Sequence, residues 1–416
     1  MKISDLENEF AVISSCRICE SSNLQEILDL GLQPLANNLR SSEKEGPEKY
    51  FPLVLVRCPD CTTIQLSVNV NPKIMFQNYL WTTGTSQSSR DHCDQLSNHI
   101  IKISKSSPAI LEIGSNDGTL LKALKSKTDG VFHGVDPAQN ISEIFTQNGV
   151  KIHNVFFNGT FAETFLESYG KIDVVIARNV LSHVPDIIEV MKGIELILAS
   201  DGLCIIEFHE ASKILSEIHY DSIYHEHTFY HSIRSMSEAL KKVGLFPFDV
   251  FSSPISGGSY VLISSRDKRE PSDRLAAAKL FETTIGVQSE ESWGNFAKAA
   301  KENLKSINEY LHQNSHRKIR AFGASARSST LLNSIGSNSK KLSGIADNNP
   351  LKWGKYSPGQ HLPIDSPKKI IQNDTEIVFI CPFNFEKEII YYLTNDLKWH
   401  GEIVLPLPNK IRTYQI

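Results

Sequence analysis

The short segment 220–230 is rich in side chains that transfer protons. Its centre reads Tyr224, His225, Glu226 and His227. An imidazole there can serve as a general base near neutral pH, while the carboxylate orients it and the phenol donates a hydrogen bond to a developing oxyanion. A polar structural loop and a metal site are the alternatives, although the spacing differs from the His-Glu-x-x-His pattern of zinc proteases. The segment is therefore a candidate acid–base site.

Four of the seven cysteines stand in two Cys-x-x-Cys pairs, which in a reducing compartment indicates metal binding rather than disulfides. The pairs are Cys16 with Cys19 and Cys58 with Cys61. Four thiolates complete the tetrahedral shell of zinc and leave no open coordination position, so the predicted zinc is structural. It would let a small amino-terminal module fold around a thin hydrophobic core. Unmetallated thiols are the alternative.

A glycine-containing turn, 114–118, follows the apolar run 109–113. Backbone in such a turn can approach a ligand closely. Asp136 follows the next apolar run, where an acid can accept hydrogen bonds from ribose hydroxyls. The turn lacks the Gly-x-Gly-x-x-Gly pattern of dinucleotide sites, so the predicted ligand is S-adenosylmethionine (SAM), and a nonfunctional tight turn is the alternative. The residues predicted to bind SAM are Glu112, Gly114, Ser115, Asn116, Asp117, Asp136 and Asn179.

Two further loops follow strand-like runs. Asn179 and His183 come after the run 172–177, and because open α/β sheets bind ligands at the carboxyl ends of their strands, both are predicted to face the methyl donor and acceptor. A purely structural His183 is the alternative. The segment 323–330 offers backbone amides and Arg327 to a phosphate or diphosphate, and a simple capped helix is the alternative there.

The elements that must position these residues alternate between strand and helix from residue 108 onward. The apolar runs 109–113, 131–135, 172–177 and 203–208 predict a doubly wound, mostly parallel sheet in an α/β fold.

The regions on either side of this alternating part differ from it in their sequence pattern. The chain up to about residue 107 shows short strand signals and no long amphipathic helix. Residues 267–314 predict a helical connector, and strand signals at 341–347 and 376–381 predict a second, smaller Rossmann-like domain.

Composition describes an ordinary globular protein. The chain has 416 residues, 40% of them hydrophobic, and a formal net charge of −4, so two or three domains are expected and nucleic acid is a weak partner candidate. The amino terminus shows no signal peptide, and no apolar run approaches the length of a membrane span. A cytoplasmic location without membrane partners is therefore expected.

Together these segments resemble the sugar C-methyltransferase family, whose members methylate a carbon of a nucleotide-linked 4-keto-6-deoxyhexose. The resemblance covers nearly the whole chain. It rests on the cysteine pairs, the 112–118 turn and Tyr-His-Glu-His at 224–227, with Leu-Gly-Leu-Gln-Pro-Leu-Ala-Asn at 30–37 and Pro-Gly-Gln-His-Leu-Pro at 358–363.

The resemblance implies a class I SAM-methyltransferase domain at 79–266, preceded by a zinc module at 1–78 and followed at 267–416 by the helical connector and a Rossmann-like domain for the nucleotide sugar. It implies C3-methylation of a dTDP- or GDP-linked 4-keto-6-deoxy sugar through an enolate, with SAM and structural zinc, in a monomer or weak homodimer. The implied catalytic residues are His227, Tyr224, Glu226, His183 and Tyr79. The implied substrate-binding residues are His225, Ser325, Arg327, Ser328 and His361. The alternatives are methylation of another carbon or of an oxygen, or a noncatalytic protein that binds zinc and SAM.

Overall fold

The computed structural model describes residues 9–76, 82–138 and 149–416. Its strands are, in chain order, β1 Phe10–Val12, β2 Gln25–Pro34, β3 Tyr50–Arg57, β4 Ile64–Leu66, β5 Val68–Val70, β6 Ala109–Ile113, β7 Val131–Val135, β8 Lys151–His153, β9 Ile172–Arg178, β10 Leu198–His209, β11 Phe229–Tyr230, β12 Phe246–Ser253, β13 Ser259–Ser265, β14 Ile319–Phe322, β15 Ile345–Ala346, β16 Lys355–Tyr356, β17 Pro363–Asp365, β18 Ile377–Ile380, β19 Glu402–Leu405 and β20 Arg412–Gln415. Its α-helices are Pro72–Phe76, Gln87–Ile103, Thr119–Lys125, Gly159–Tyr169, Ile187–Ile197, Ala211–Glu217, Ile233–Lys241, Asp273–Thr284, Glu290–Gln313, Ala326–Ile335, Pro367–Ile370 and Glu386–Tyr391.

The central sheet has seven strands in the order β12-β13-β10-β9-β6-β7-β8. Every pairing from β10 to β8 is parallel, and β13 pairs antiparallel with both β10 and β12. Its inner strands are buried nearly throughout, which is why they read as continuous apolar runs rather than as alternating patterns. The predicted α/β fold with a class I methyltransferase sheet is confirmed.

The amino-terminal sheet has the order β11-β4-β3-β2. Its edge strand β11 comes from far along the chain and pairs antiparallel with β4, with Phe229 opposite Gln65. Because β11 begins two residues after His227, the small sheet and the candidate acid–base segment form one structural unit.

The carboxyl-terminal sheet also has seven strands, in the order β16-β17-β15-β14-β18-β19-β20, with parallel pairing from β17 to β19. The helices Asp273–Thr284 and Glu290–Gln313 precede it, as predicted for the connector. One hydrophobic core joins the regions: Leu55 of β3, Ile223 before the acid–base segment and Leu331 of the helix Ala326–Ile335 all belong to it. The predicted domain boundaries at residues 78 and 266 therefore separate regions that pack into the same hydrophobic core.

Two local predictions were wrong. The region before residue 107 contains the 17-residue helix Gln87–Ile103, whose buried face includes Cys93, Leu96 and Ile100. Because most residues of this helix are polar, its apolar face is hard to recognise in the sequence. The expected strand 341–347 is reduced to Ile345–Ala346, because Gly336–Leu342 is helical and Ser343 and Gly344 have positive φ. Among the described residues, no helix combines the length and the apolar character that a membrane crossing requires.

Candidate active site

The four paired cysteines lie together in two matching turns. The Sγ atoms of Cys16 and Cys61 are 3.5 Å apart, as are those of Cys19 and Cys58, and all four lie within 4.8 Å of one another. Tetrahedral zinc with Zn–S bonds of about 2.3 Å holds its sulfurs about 3.8 Å apart, so this set fits the ion. The cluster is mostly buried, as expected of a structural site.

Arg17 connects the zinc cluster to the small sheet. Its guanidinium donates hydrogen bonds of 2.6 Å to the Leu66 carbonyl, 2.9 Å to the Val68 carbonyl and 3.0 Å to Asn69 Oδ1. The Leu66 amide in turn donates to the Thr228 carbonyl at 3.0 Å. The zinc cluster is therefore connected through Arg17 and Leu66 to Thr228, the residue that follows His227.

The turn after β6 is built from residues with positive φ: Gly114 at 68°, Asn116 at 51° and Gly118 at 67°. The carboxylate of Asp136, after β7, accepts the Asn116 amide at 2.8 Å and the Ala138 amide at 2.9 Å. The turn is mostly buried, and the Ser115 hydroxyl has no hydrogen-bond partner in the described part of the chain. An orphaned hydroxyl beside an ordered carboxylate fits a ligand with ribose and amino acid groups.

Two other predicted SAM residues lie around this turn. Asp117 accepts the Thr119 hydroxyl at 2.6 Å and the Gly84 amide at 2.7 Å, which ties the turn to the segment before the helix Gln87–Ile103. Asn179 directly follows β9 with φ of 51°, a strained conformation that Asn tolerates better than most residues, and its backbone amide donates to the Glu207 carbonyl at 2.7 Å.

Glu112 lies beneath the turn rather than on its surface. It is 2% exposed, its Oε1 lies 3.4 Å from Arg178, and burial raises its pKa to about 8. Arg178 is paired more closely with Glu207, at 2.9 Å. Direct contact between Glu112 and SAM remains a prediction, and its geometry indicates support of the turn from below.

Tyr224 and His227 form the closest pair in the acid–base segment. The Tyr224 hydroxyl lies 2.7 Å from His227 Nε2. Burial, and next the charge of His183, hold the pKa of His227 well below its ordinary value, whereas a backbone hydrogen bond at Ser222 opposes this. A ring N–H used at Ser222 leaves Nε2 as the lone-pair nitrogen. The neutral ring thus presents a base at Nε2 across the physiological pH range.

His183 packs against His227, with ring centroids 4.9 Å apart, and its Nδ1 donates to the Glu226 carbonyl at 2.8 Å. Burial lowers the pKa of His183 to about 4. Hydrogen bonds to the backbone of Glu226 and of Asn179 act in the opposite direction, so the ring is engaged with both loops. His183 is suited to fixing the acid–base segment in place.

Glu226 reaches back to the amino-terminal module. Asn37 Nδ2 donates to both of its carboxylate oxygens, at 2.8 and 2.7 Å. Burial raises the pKa of Glu226 to about 7, and the hydrogen bonds from Asn37 act in the opposite direction. The role of Asn37 was missed by the sequence analysis, because its partner Glu226 is 189 positions away and no local pattern connects the two.

Replacing Asn37 with alanine is expected to shift the pH–rate profile. Without its donors the ionised Glu226 loses stabilisation, so its pKa rises and the ionised form appears only at higher pH. We expect the acidic limb of kcat to lie near pH 7 in the unaltered protein and to move upward by about one unit in Asn37→Ala. Asn38→Ala, at the neighbouring exposed asparagine, is the control, and a limb that stays in place in Asn37→Ala contradicts the assignment to Glu226.

The predicted substrate residues of the carboxyl-terminal domain lie in two places. Arg327 extends from its helix to form a bidentate pair with Asp221, both contacts 2.8 Å, and its guanidinium stacks over Phe383. Ser325 and Ser328 form the capping box of that helix, which bears out the capped-helix alternative for these two hydroxyls without testing phosphate binding. His361 lies 2.9 Å from Glu48 in the amino-terminal module.

His225 and Tyr79 are the remaining predicted site residues. His225 is 2% exposed, packs edge-on against Phe51 and places Nε2 3.1 Å from the Pro52 carbonyl, a structural environment. Tyr79 lies outside the described residues, and its role stays a prediction.

Family models match three consecutive parts of the chain. They are a putative zinc binding domain at residues 16–76, a methyltransferase domain at 87–246 and a C-methyltransferase C-terminal domain at 254–408. The C-methyltransferase NovU of Streptomyces niveus is 28% identical over 403 residues, which cover 95% of this chain and 96% of that protein.

Two solved structures each align with less than half of the chain. Magnesium protoporphyrin IX methyltransferase of Synechocystis PCC 6803 with bound SAM is 14% identical, with a TM-score of 0.33, over 43% of this chain and 80% of its own. The PH0226 protein of Pyrococcus horikoshii OT3 is 15% identical, with a TM-score of 0.35, over 45% of this chain and 95% of its own. Likenesses this distant add nothing about substrate.

Proposed function

Because the chain is a SAM-dependent C-methyltransferase with an N-terminal zinc-binding domain, we propose that it methylates C3 of a dTDP- or GDP-linked 4-keto-6-deoxy sugar in branched deoxysugar biosynthesis. The observation that carries the proposal is the 2.7 Å contact between Tyr224 and His227 Nε2 in a buried segment beside the SAM-binding edge of the sheet. Carbon methylation requires a carbanion, and this pair supplies a neutral base next to a phenol that can stabilise the resulting oxyanion.

The chemistry follows from the ketone. A carbonyl at C4 acidifies the proton at C3, His227 Nε2 removes that proton, and the electron pair moves onto the C4 oxygen as an enolate. SAM, when bound, supplies an electrophilic methyl group that C3 attacks in line, with S-adenosylhomocysteine as the leaving group. The Tyr224 hydroxyl turns from His227 toward the C4 oxygen and donates to it. The protein's main task is to hold C3 and the methyl donor in line.

Glu226 is the chain neighbour of His227, and His183 contacts its ring. Glu226 lies on the chain directly before His227, and Asn37 holds its carboxylate. His183 fixes the Glu226 carbonyl and contacts the ring of His227. We assign Glu226 to proton relay toward solvent after C3 is deprotonated, since a pKa of about 7 allows it to take up and release a proton.

The nucleotide end of the acceptor is proposed to bind the carboxyl-terminal sheet. Its first turn repeats the arrangement of the SAM turn: Asp347, after β15, accepts the Ala324 amide and the Asn349 amide, both at 2.8 Å. Asp136 makes the corresponding pair of contacts in the central sheet. The repeated arrangement supports a second ribose-binding turn, where Ser325 and Arg327 lie at the start of the following helix.

Mass spectrometry of the protein incubated with SAM and a panel of dTDP- and GDP-linked 4-keto-6-deoxy sugars tests the proposal. We expect a gain of one methyl group on at least one member, and no gain on the corresponding 4-hydroxy sugars, which lack the acidifying ketone. Absence of methylation across the panel, with SAM binding shown by calorimetry, would overturn the substrate class. Equal methylation of 4-hydroxy sugars would contradict the enolate route.

A further inference from the structure

His209 ends β10 at the carboxyl edge of the central sheet, opposite Ser259 of β13. It is 8% exposed, and its Nε2 is buried without a hydrogen-bond partner in the part of the chain that the structure describes. A buried donor or acceptor with no partner is costly, so such an atom at a ligand-binding edge points to a group that arrives with the ligand.

The ring of His209 packs against that of His219. His219 stacks on it at 6.0 Å between ring centroids, and the Nε2 of His219 is itself fixed by Glu217 at 3.1 Å. Gly257 closes the same space: a Cβ at that position would lie 3.7 Å from His219 and 3.4 Å from Arg327. Its φ of 86° also favours glycine, so the backbone lies close to this cluster.

The cluster lies beside the acid–base segment. His219 and Asp221 belong to the turn that leads into Tyr224, and Arg327 reaches that turn from the carboxyl-terminal domain. Burial first, and then the charges of Arg327, His219 and His227, hold the pKa of His209 well below its ordinary value. A neutral imidazole suits an uncharged hydroxyl, to which it can donate or from which it can accept.

This inference rests on the proposed function. If His227 acts at C3 and Tyr224 at the C4 oxygen, the ring position on the other side of C3 is C2. We propose that His209 Nε2 hydrogen-bonds a hydroxyl at C2 of the acceptor, so that the enzyme selects sugars that retain this hydroxyl over 2-deoxy sugars. His209 is thus a specificity-determining residue, with His219 as the residue that positions it.

The test compares kcat/KM for two acceptors that differ only at C2, a 4-keto-6-deoxy sugar and its 2-deoxy counterpart on the same nucleotide. We expect the unaltered protein to prefer the 2-hydroxy acceptor by about 10-fold or more. His209→Phe should reduce this preference to less than about 3-fold, whereas His209→Gln, whose amide reaches the position of Nε2, should retain most of it.

His133→Phe is the matched control, because His133 is also buried but packs against Phe165 and Tyr169 on the opposite side of the sheet. Its preference should equal that of the unaltered protein. A preference that persists in His209→Phe, or an unaltered protein that favours the 2-deoxy acceptor, would overturn the role of His209 and leave the methyltransferase proposal standing. Methylation of neither acceptor would instead overturn the proposed substrate class and this inference with it.

Discussion

His227→Ala is expected to lower kcat about 1,000-fold while the affinity for SAM stays within about twofold of the original. General-base catalysis by a positioned side chain contributes about 10²- to 10⁴-fold, and we propose His227 Nε2, which lies 2.7 Å from the Tyr224 hydroxyl, as that base. The residues predicted to bind SAM lie on other loops, so the binding of the methyl donor should survive. Single-turnover methylation and calorimetric SAM titration provide the two measurements.

Tyr224→Phe tests the role of the phenol as donor to the oxyanion separately from the role of His227 as base. It keeps the aromatic ring that packs 4.1 Å from the His227 ring but removes the hydroxyl, so we expect a smaller loss of kcat than in His227→Ala.

Turnover of His227→Ala within tenfold of the unaltered protein would show that another group removes the proton, and Glu226 would then be the first residue to test.

Loss of zinc is expected to abolish activity by displacing the acid–base segment. Cys58→Ser combined with Cys61→Ser removes half of the ligand set, and structural zinc contributes about 10–16 kcal/mol in small zinc domains. The amino-terminal sheet should unfold, releasing β11 from β4 and Asn37 from Glu226. We expect about one zinc ion per unaltered chain by elemental analysis, little in the double variant, and at least a 100-fold loss of turnover.

Cys381→Ser is the matched control for this variant. Cys381 is as buried as the zinc ligands but lies in the carboxyl-terminal domain, so its replacement should leave the zinc content unchanged. A double cysteine variant that keeps both full turnover and native melting would contradict the structural role of the cluster.

Local patterns predicted the central sheet well. Strands β6 and β7 have the predicted bounds, since long runs of apolar residues between helices are typical of buried parallel strands. The helix Gln87–Ile103 was missed, because only a few apolar residues mark its buried side.

The arrangement around the site depended on contacts that no local pattern reveals. Asn37 with Glu226 and Arg327 with Asp221 join residues 189 and 106 positions apart. The sequence analysis predicted acid–base roles for Tyr224 and His227 from the residue types of this segment and from the family resemblance, and these roles stay a prediction. It could not predict which neighbours would fix the pKa of each group, because burial and pairing arise only in the folded chain.

The most direct test of C3-methylation through an enolate is to determine which atom of the product carries the new methyl group. The measurement is NMR of the product made with SAM carrying a ¹³C-methyl group, together with deuterium exchange of the acceptor in deuterated buffer without SAM. We predict the label on C3 and exchange at C3 that disappears in His227→Ala. A label on oxygen or on C5, or exchange at C3 that persists in His227→Ala, would contradict this account.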